Sequence, residues 1–315
     1  ADRVNTTDRY FAKFDWNINP NNLLEVSLIG DKYSQNETLS GYNYDTRQRN
    51  NIPVLSASYV NQDAHTLGVG SEAKILRYTS FLTNDLTLSA LVGRSTSPHT
   101  NTYAGVDVNG KVRQVSPPGT SAYPGFTYAI PYPFGAGTTV VGNGAQDTVD
   151  ARRLDLEYRL GSHLLRAGID DVKLKSVNAG EVYAGGGIYV YSRTTNANLV
   201  PTGMTTSLAK AGALKAVVGS STYYYYGREQ IFSTITDAAS NQSAQYLEDR
   251  WQVTKDLLIV PGIRLEQYNN LNGDGQTFLK VNNQVNPRMA FTWDALGDSS
   301  AKLFGSAGRY GVQIP

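Results

Sequence analysis

The sequence predicts an all-β fold: an antiparallel up-and-down transmembrane β-barrel, with about ten strands in this chain. Three observations predict it. Hydropathy is mixed, with no run of about 18 apolar residues that would make a membrane helix. Short turns alternate with long connections along the whole chain. Large aromatic residues recur at nearly constant depth ahead of the short turns.

Hydrophobic residues make up 40% of the 315 and charged residues only 17%. Mean hydropathy is nevertheless −0.35. A barrel reconciles these values, because each strand alternates lipid-facing and lumen-facing residues and averages to mild polarity.

Five hairpins are legible. They pair 9–18 with 23–35 around Asn19-Pro20-Asn21-Asn22, and 73–83 with 86–96 around Thr83-Asn84-Asp85. The next two pair 148–160 with 163–177 around Gly161-Ser162, and 242–254 with 257–268 around Thr254-Lys255-Asp256. The last pairs 286–295 with 300–310 around Leu296-Gly297-Asp298-Ser299. Each turn carries Gly, Asn or Asp, which tolerate turn dihedrals. The long connections are roughly 37–72, 97–147, 178–241 and 269–285. In an outer-membrane barrel, turns are short on the periplasmic side and loops long outside. The expectation is therefore one transmembrane segment over 1–315 with these four connections extracellular.

Strand faces agree. Leu154, Leu156, Tyr158 and Leu160 oppose Arg153, Asp155, Glu157 and Arg159. Tyr10, Ala12, Phe14, Trp16 and Ile18 oppose Arg9, Lys13, Asp15 and Asn17. Pro287, Met289, Phe291 and Trp293 oppose Arg288, Thr292 and Asp294. An Arg or Lys facing lipid at the midplane costs about 2–4 kcal/mol, so this segregation is expected. One such strand fits a half-exposed soluble sheet equally well; five hairpins do not.

Trp16, Trp251 and Trp293 each precede a short turn by a few residues, and Phe81 and Tyr158 hold the matching places before the other two. These five read as a periplasmic membrane-interface girdle. Three features resist the pattern. Asp249 shares parity with Leu247 and Trp251 and so points a carboxylate toward lipid. Val172 and Leu174 fall out of phase with Leu165, Ala167 and Ile169, which predicts a bulge near Asp170-Asp171. The last strand, with Lys302, Phe304 and Arg309, does not declare its faces.

Other chemistry is sparse. There are no cysteines, so disulfides and thiolate metal sites are excluded. A net charge of +1 gives no case for nucleic acid. The histidines His65, His99 and His163 are scattered without metal-ligand spacing, and no metal or other cofactor is expected. Asn270-x-Asn272-x-Asp274-Gly275 has no Glu at the twelfth position of a calcium loop. The run Tyr223-Tyr224-Tyr225-Tyr226 offers a stacking surface for a ligand, or else an outer girdle or a strand above the membrane. Tyr128 and Tyr132, among prolines in the 97–147 connection, are further ligand-contact candidates, since loops on a rigid scaffold carry recognition. The N-terminus has no apolar signal core, so either a signal was removed or the chain begins inside a longer protein.

AQYLEDRWQVTKDLLIVPGIRLEQY (244–268), with Glu248, Asp249, Trp251, Gly262 and Arg264, resembles the barrel segment of TonB-dependent outer-membrane receptors, particularly their Oar-like, OmpA-related group. NPRMAFTWDALGD (286–298), KLFGSAGRYG (302–311) and the N-terminal DRYFAKFDWNINPNNLLEVS continue the resemblance. It implies an outer-membrane receptor without enzymatic activity, built on a barrel of about 22 strands. Its implied partners are a plug domain, the TonB–ExbB–ExbD system, the lipid bilayer and a small solute or peptide. The chain then reads as an internal piece of that barrel. From the residues alone, a passive porin-like channel, a small barrel enzyme and an adhesin stay open.

Overall fold

A computed structural model describes residues 2–43, 45–61, 70–103, 114–116, 139–183, 188–196, 198, 214–218 and 220–311. In chain order the strands are β1 (Asp2–Asn19), β2 (Asn22–Asn43), β3 (Gln48–Asn61), β4 (Ser71–Phe81), β5 (Leu86–Pro98) and β6 (Thr100–Tyr103). Next come β7 (Gln114–Ser116), β8 (Thr139–Val141), β9 (Gln146–Leu160), β10 (His163–Ala179), β11 (Glu181–Tyr183) and β12 (Ile188–Thr194). The chain continues with β13 (Leu214–Val218), β14 (Ser221–Gln230), β15 (Thr236–Thr254), β16 (Leu257–Leu271), β17 (Thr277–Asp294) and β18 (Lys302–Gly308).

Ten of these form one antiparallel sheet, in the order β1, β2, β4, β5, β9, β10, β15, β16, β17, β18. Neighbours in the sheet follow one another up and down, as predicted. Among the described residues, β1 and β18 each have a partner strand on one side only. β3 continues along β2 past the end of β4, and β6 pairs with β3. Two small sheets stand apart: β8 with β11, and β13-β14-β12-β7, in which β12 and β7 run parallel.

The five predicted turns are present, and their chemistry is local. Thr83 Oγ1 accepts hydrogen bonds from the backbone N–H of Asp85 and Leu86 at 3.2 and 3.0 Å. Thr254 repeats the arrangement with Asp256 and Leu257 at 3.2 and 3.1 Å. Asn19 accepts from Asn21 N and Asn22 Nδ2. Gly161 takes the left-handed conformation with φ 58°.

The strands overrun their expected ends on the side away from these turns. β1, β15 and β17 have 18, 19 and 18 residues, where about 9–11 cross a bilayer. The 37–72 connection therefore contains the end of β2 and all of β3. The 269–285 connection is mostly ladder, since Leu271 still pairs with Thr277 and only residues 272–276 turn. Its Asn272 side chain accepts from Asp274 N and Gln276 N.

Cross-strand register assigns the faces. Trp16, Leu24, Tyr78, Ala90, Leu154, Ile169, Leu247, Ile263, Met289 and Ala307 share the outward face. Lys13, Glu25, Arg77, Leu91, Arg153, Asp170, Glu248, Arg264 and Arg288 share the other. β18 thus declares itself: Leu303, Gly305 and Ala307 point outward, and Phe304 inward.

The predicted bulge at Asp170-Asp171 is absent. β10 keeps one register with β9 from His163 to Val177 and with β15 from His163 to Ser176. Val172 and Leu174 therefore face inward, while Asp171, Lys173 and Lys175 face outward. The reason is depth: the apolar outward band ends at Ile169, and beyond it the outward face is no longer held to apolar residues.

Two aromatic side chains fill the space of a missing Cβ in this sheet. The Tyr10 ring lies over Gly30 on the outward face, where a Cβ would come within 2.5 Å of it. Tyr246 covers Gly168 on the inward face, where a Cβ would lie 2.5 Å from the ring and 2.6 Å from Asp155. Such rings restore the packing a glycine gives up and pin the register.

Candidate functional site

The inward face is built from strands rich in charged residues, and many of these charges pair with one another. Arg264 on β16 reaches Asp170 on β10 with two bonds of 2.8 and 3.1 Å and Glu266 at 2.7 Å. Asn286 on β17 donates to the same Glu266 at 2.6 Å. Arg288 pairs with Glu248 at 2.9 Å, Arg166 with Glu157 at 3.1 Å, and Lys13 with Glu25 at 2.8 Å. Arg153 bonds Asp155 at 2.7 Å and lies 5.7 Å from the Tyr246 ring centroid, while the Tyr246 hydroxyl donates to Asp155. The Arg264–Asp170, Tyr246–Asp155 and Arg288–Glu248 contacts bridge strands 94, 91 and 40 residues apart in sequence and stiffen the wall. A concavity of about 290 Å³ lies beside Ala151, Arg153, Asp170, Gln242, Arg264 and Glu266.

Above the apolar band, the inward positions become hydroxyl-rich. Ser71 and Ser97 Oγ are 2.8 Å apart. Asp147, directly across from both Ser97 and Ser176, bonds His99 Nε2 at 2.7 Å and accepts from Ser176 Oγ at 2.5 Å. Partial burial pushes the Asp147 carboxyl up, but the Ser176 and His99 hydrogen bonds outweigh it and hold the group below the usual carboxylate range. The carboxylate sits between serine and histidine, so the histidine is not placed to take the serine's proton. The trio is a clasp between β9, β10 and the β5–β6 junction rather than nucleophilic machinery.

The tyrosine run sits on β14, inside the four-stranded outer sheet and not in the ten-stranded one. Register places Tyr223 across from Ala216, and Tyr224 between Lys215 and Thr194. Tyr225 lies across from Leu214 and Arg193, and Tyr226 across from Ser192. Alternation thus puts Tyr223 and Tyr224 on opposite faces of that sheet. Tyr128 and Tyr132 lie outside the described residues.

Of the five girdle residues, Trp16, Tyr158, Trp251 and Trp293 lie on the outward face. Phe81 does not. It pairs with Thr87, which pairs with Glu157 on the inward face. Constant depth from a turn does not fix parity, because turn lengths differ by one residue.

Sequence reasoning missed what Asp249 does on the outward face. His163, at the start of β10, lies directly across from Trp251. Its Nδ1 is 2.7 Å from Asp249 Oδ2, and its ring stacks on Trp251 with centroids 5.3 Å apart. The carboxylate is therefore bonded by an imidazole that Trp251 in turn stacks on. Its odd parity was the available signal.

Geometry of this kind defines a barrel wall: an apolar outward band, a charged inward face and strands prolonged on one side. Residues 1–310 match the family model described as "Outer membrane beta barrel domain", and the chain belongs to that family. It is a protein of the bacterial outer membrane. It is 28% identical over 170 residues to the TonB-dependent transporter Oar of Myxococcus xanthus, covering 53% of this chain and 15% of Oar. Pseudomonas aeruginosa FpvA bound to a heterologous pyoverdine superposes with a TM-score of 0.51 at 11% identity, over 96% of this chain and 35% of FpvA. The FpvAI–pyocin S2 complex gives the same score and identity, over 34% of that chain. The chain thus spans about a seventh of this curated relative and about a third of these solved structures. The curated relative is named as a transporter.

Proposed function

We propose that this chain forms part of the wall of a TonB-dependent uptake receptor. The strands above the band bind a scarce solute, a plug fills the lumen, and the TonB–ExbB–ExbD system drives passage. The observation that carries this reading is the 170-residue kinship with the Oar transporter. The sheet supports it, because β1 and β18 each leave a backbone edge that lipid does not tolerate, and flanking strands of a larger barrel would pair them. The inward charges fit the wet wall around a plug, and Tyr223 and Tyr224 of β14 supply a contact surface outside. Short turns then lie in the periplasm, with Trp16, Tyr158, Trp251 and Trp293 as the interface girdle.

Planar-bilayer recording of the full-length protein tests this against a passive channel. A plugged receptor gives no steady current at 100 mV. A steady ohmic conductance supports the porin-like reading instead.

A further inference from the structure

On the outward face, immediately above the apolar band, basic residues gather on four adjacent strands. Lys74 on β4, Arg94 on β5, Asp150 on β9 and Lys173 on β10 stand directly opposite one another in a single row. One step lower Arg152 faces Asp171, and one step higher Lys175 faces Thr148. The row is flanked by Leu28 on β2 and Asn241 on β15, so the charge is a patch and not an even ring. Strands lie about 4.8 Å apart, so the row spans about 14 Å, with Lys175 about 7 Å beyond Lys173 along β10.

The local carboxylates do not neutralise it. Glu72 is taken by Lys74 and the Tyr10 hydroxyl. Asp150 is held by Arg94 through two bonds of 2.7 and 2.9 Å. Arg152, Lys173 and Lys175 are exposed and make no ion pair among the described residues. Five cations against three carboxylates leave an excess of two positive charges.

The position names the ligand. Leu76, Val92, Leu154 and Ile169, all exposed, carry the apolar band directly below. A molecule held here would put acyl chains on those residues and anionic groups on the cations. We propose that this patch binds the phosphorylated headgroup of an outer-leaflet glycolipid of the lipid A type. Arg152 and Lys173 grip one phosphate, and Lys175 extends the grip upward. This rests on the orientation given above, with short turns in the periplasm.

The test uses the full-length protein, stripped of bound lipid, titrated in detergent with bisphosphorylated lipid A and with its dephosphorylated form. The triple variant Arg152→Gln, Lys173→Gln, Lys175→Gln is expected to bind bisphosphorylated lipid A at least tenfold more weakly. Arg166→Gln, on the inward face, is expected to leave binding unchanged. Heat-modifiable gel migration checks that each variant folds. Equal binding by the triple variant, or by dephosphorylated lipid A, overturns the site. Displacement by micromolar inorganic phosphate also overturns it, in favour of a free-anion site. Orientation is tested separately with Asp274→Cys and a membrane-impermeant maleimide on whole cells. Labelling without the tenfold loss refutes the patch alone; absent labelling refutes the orientation.

Discussion

His163 Nδ1 lies 2.7 Å from Asp249 Oδ2, across two strands and 86 residues of sequence. The pair faces lipid, and Asp249 Oδ1 is buried beside it without a partner. Removing the imidazole leaves a carboxylate with no partner on an apolar face. His163→Ala is expected to destabilise the folded sheet by about 1–3 kcal/mol in urea titrations, the cost of an unsatisfied buried polar group. Asp249→Asn in the same background should recover most of that loss. Full additivity of the two substitutions would show that the contact contributes nothing.

Gly168 makes a second prediction. Gly168→Ala drives a Cβ into the Tyr246 ring and the Asp155 carboxylate. Overpacking of this kind costs about 1–3 kcal/mol. Tyr246→Ala combined with it should relieve the clash, read as partial recovery of the unfolding midpoint. Because a Cβ would also lie 2.8 Å from the Leu154 carbonyl oxygen, a neutral Gly168→Ala would mean that backbone and ring both yield freely.

Acid should loosen the clasp at the start of β9. The Asp147 carboxyl is depressed in the folded chain, so the native state binds fewer protons than the unfolded one as pH falls. Its contribution is complete above the ordinary value of 3.8 and is lost as pH drops through the lower folded value. Limited proteolysis between β6 and β9 should rise over that window in the parent chain. Asp147→Asn should show raised cleavage already at neutral pH, with no further change across the window.

Solute recognition is predicted to involve the outer tyrosines. Tyr223→Ala with Tyr224→Ala should weaken solute binding at least tenfold, while the heat-modifiable band persists. Unchanged affinity, measured on the solute identified below, would move recognition elsewhere.

What was legible in the sequence was what depends on neighbours along the chain. The Gly161-Ser162 turn, the alternation of Leu154 to Leu160 against Arg153 to Arg159, and the adjacency within each hairpin follow from local dihedrals and a period of two. What was not legible depends on pairing between distant strands. No local pattern places His163 across from Trp251, or Arg264 beside Asp170, because β10 and β15 are separated by the whole outer connection. The ladder beyond Tyr268 reads as a loop in the sequence because its Asn and Gln residues, above the band, have no lipid face to pattern them. Phe81 falls on the inward face for a related reason: distance from a turn does not determine parity. The kinship with TonB-dependent receptors rested on positions such as Trp251, Gly262 and Arg264, which lie in the structurally regular half of each strand.

Energised uptake is tested by following solute depletion from the growth medium. Mass spectrometry would compare the parent strain, a strain lacking this protein and a strain lacking TonB. With a TonB-driven receptor, one solute consumed by the parent remains in the medium of both mutants. Consumption of that solute by the strain lacking TonB would contradict it.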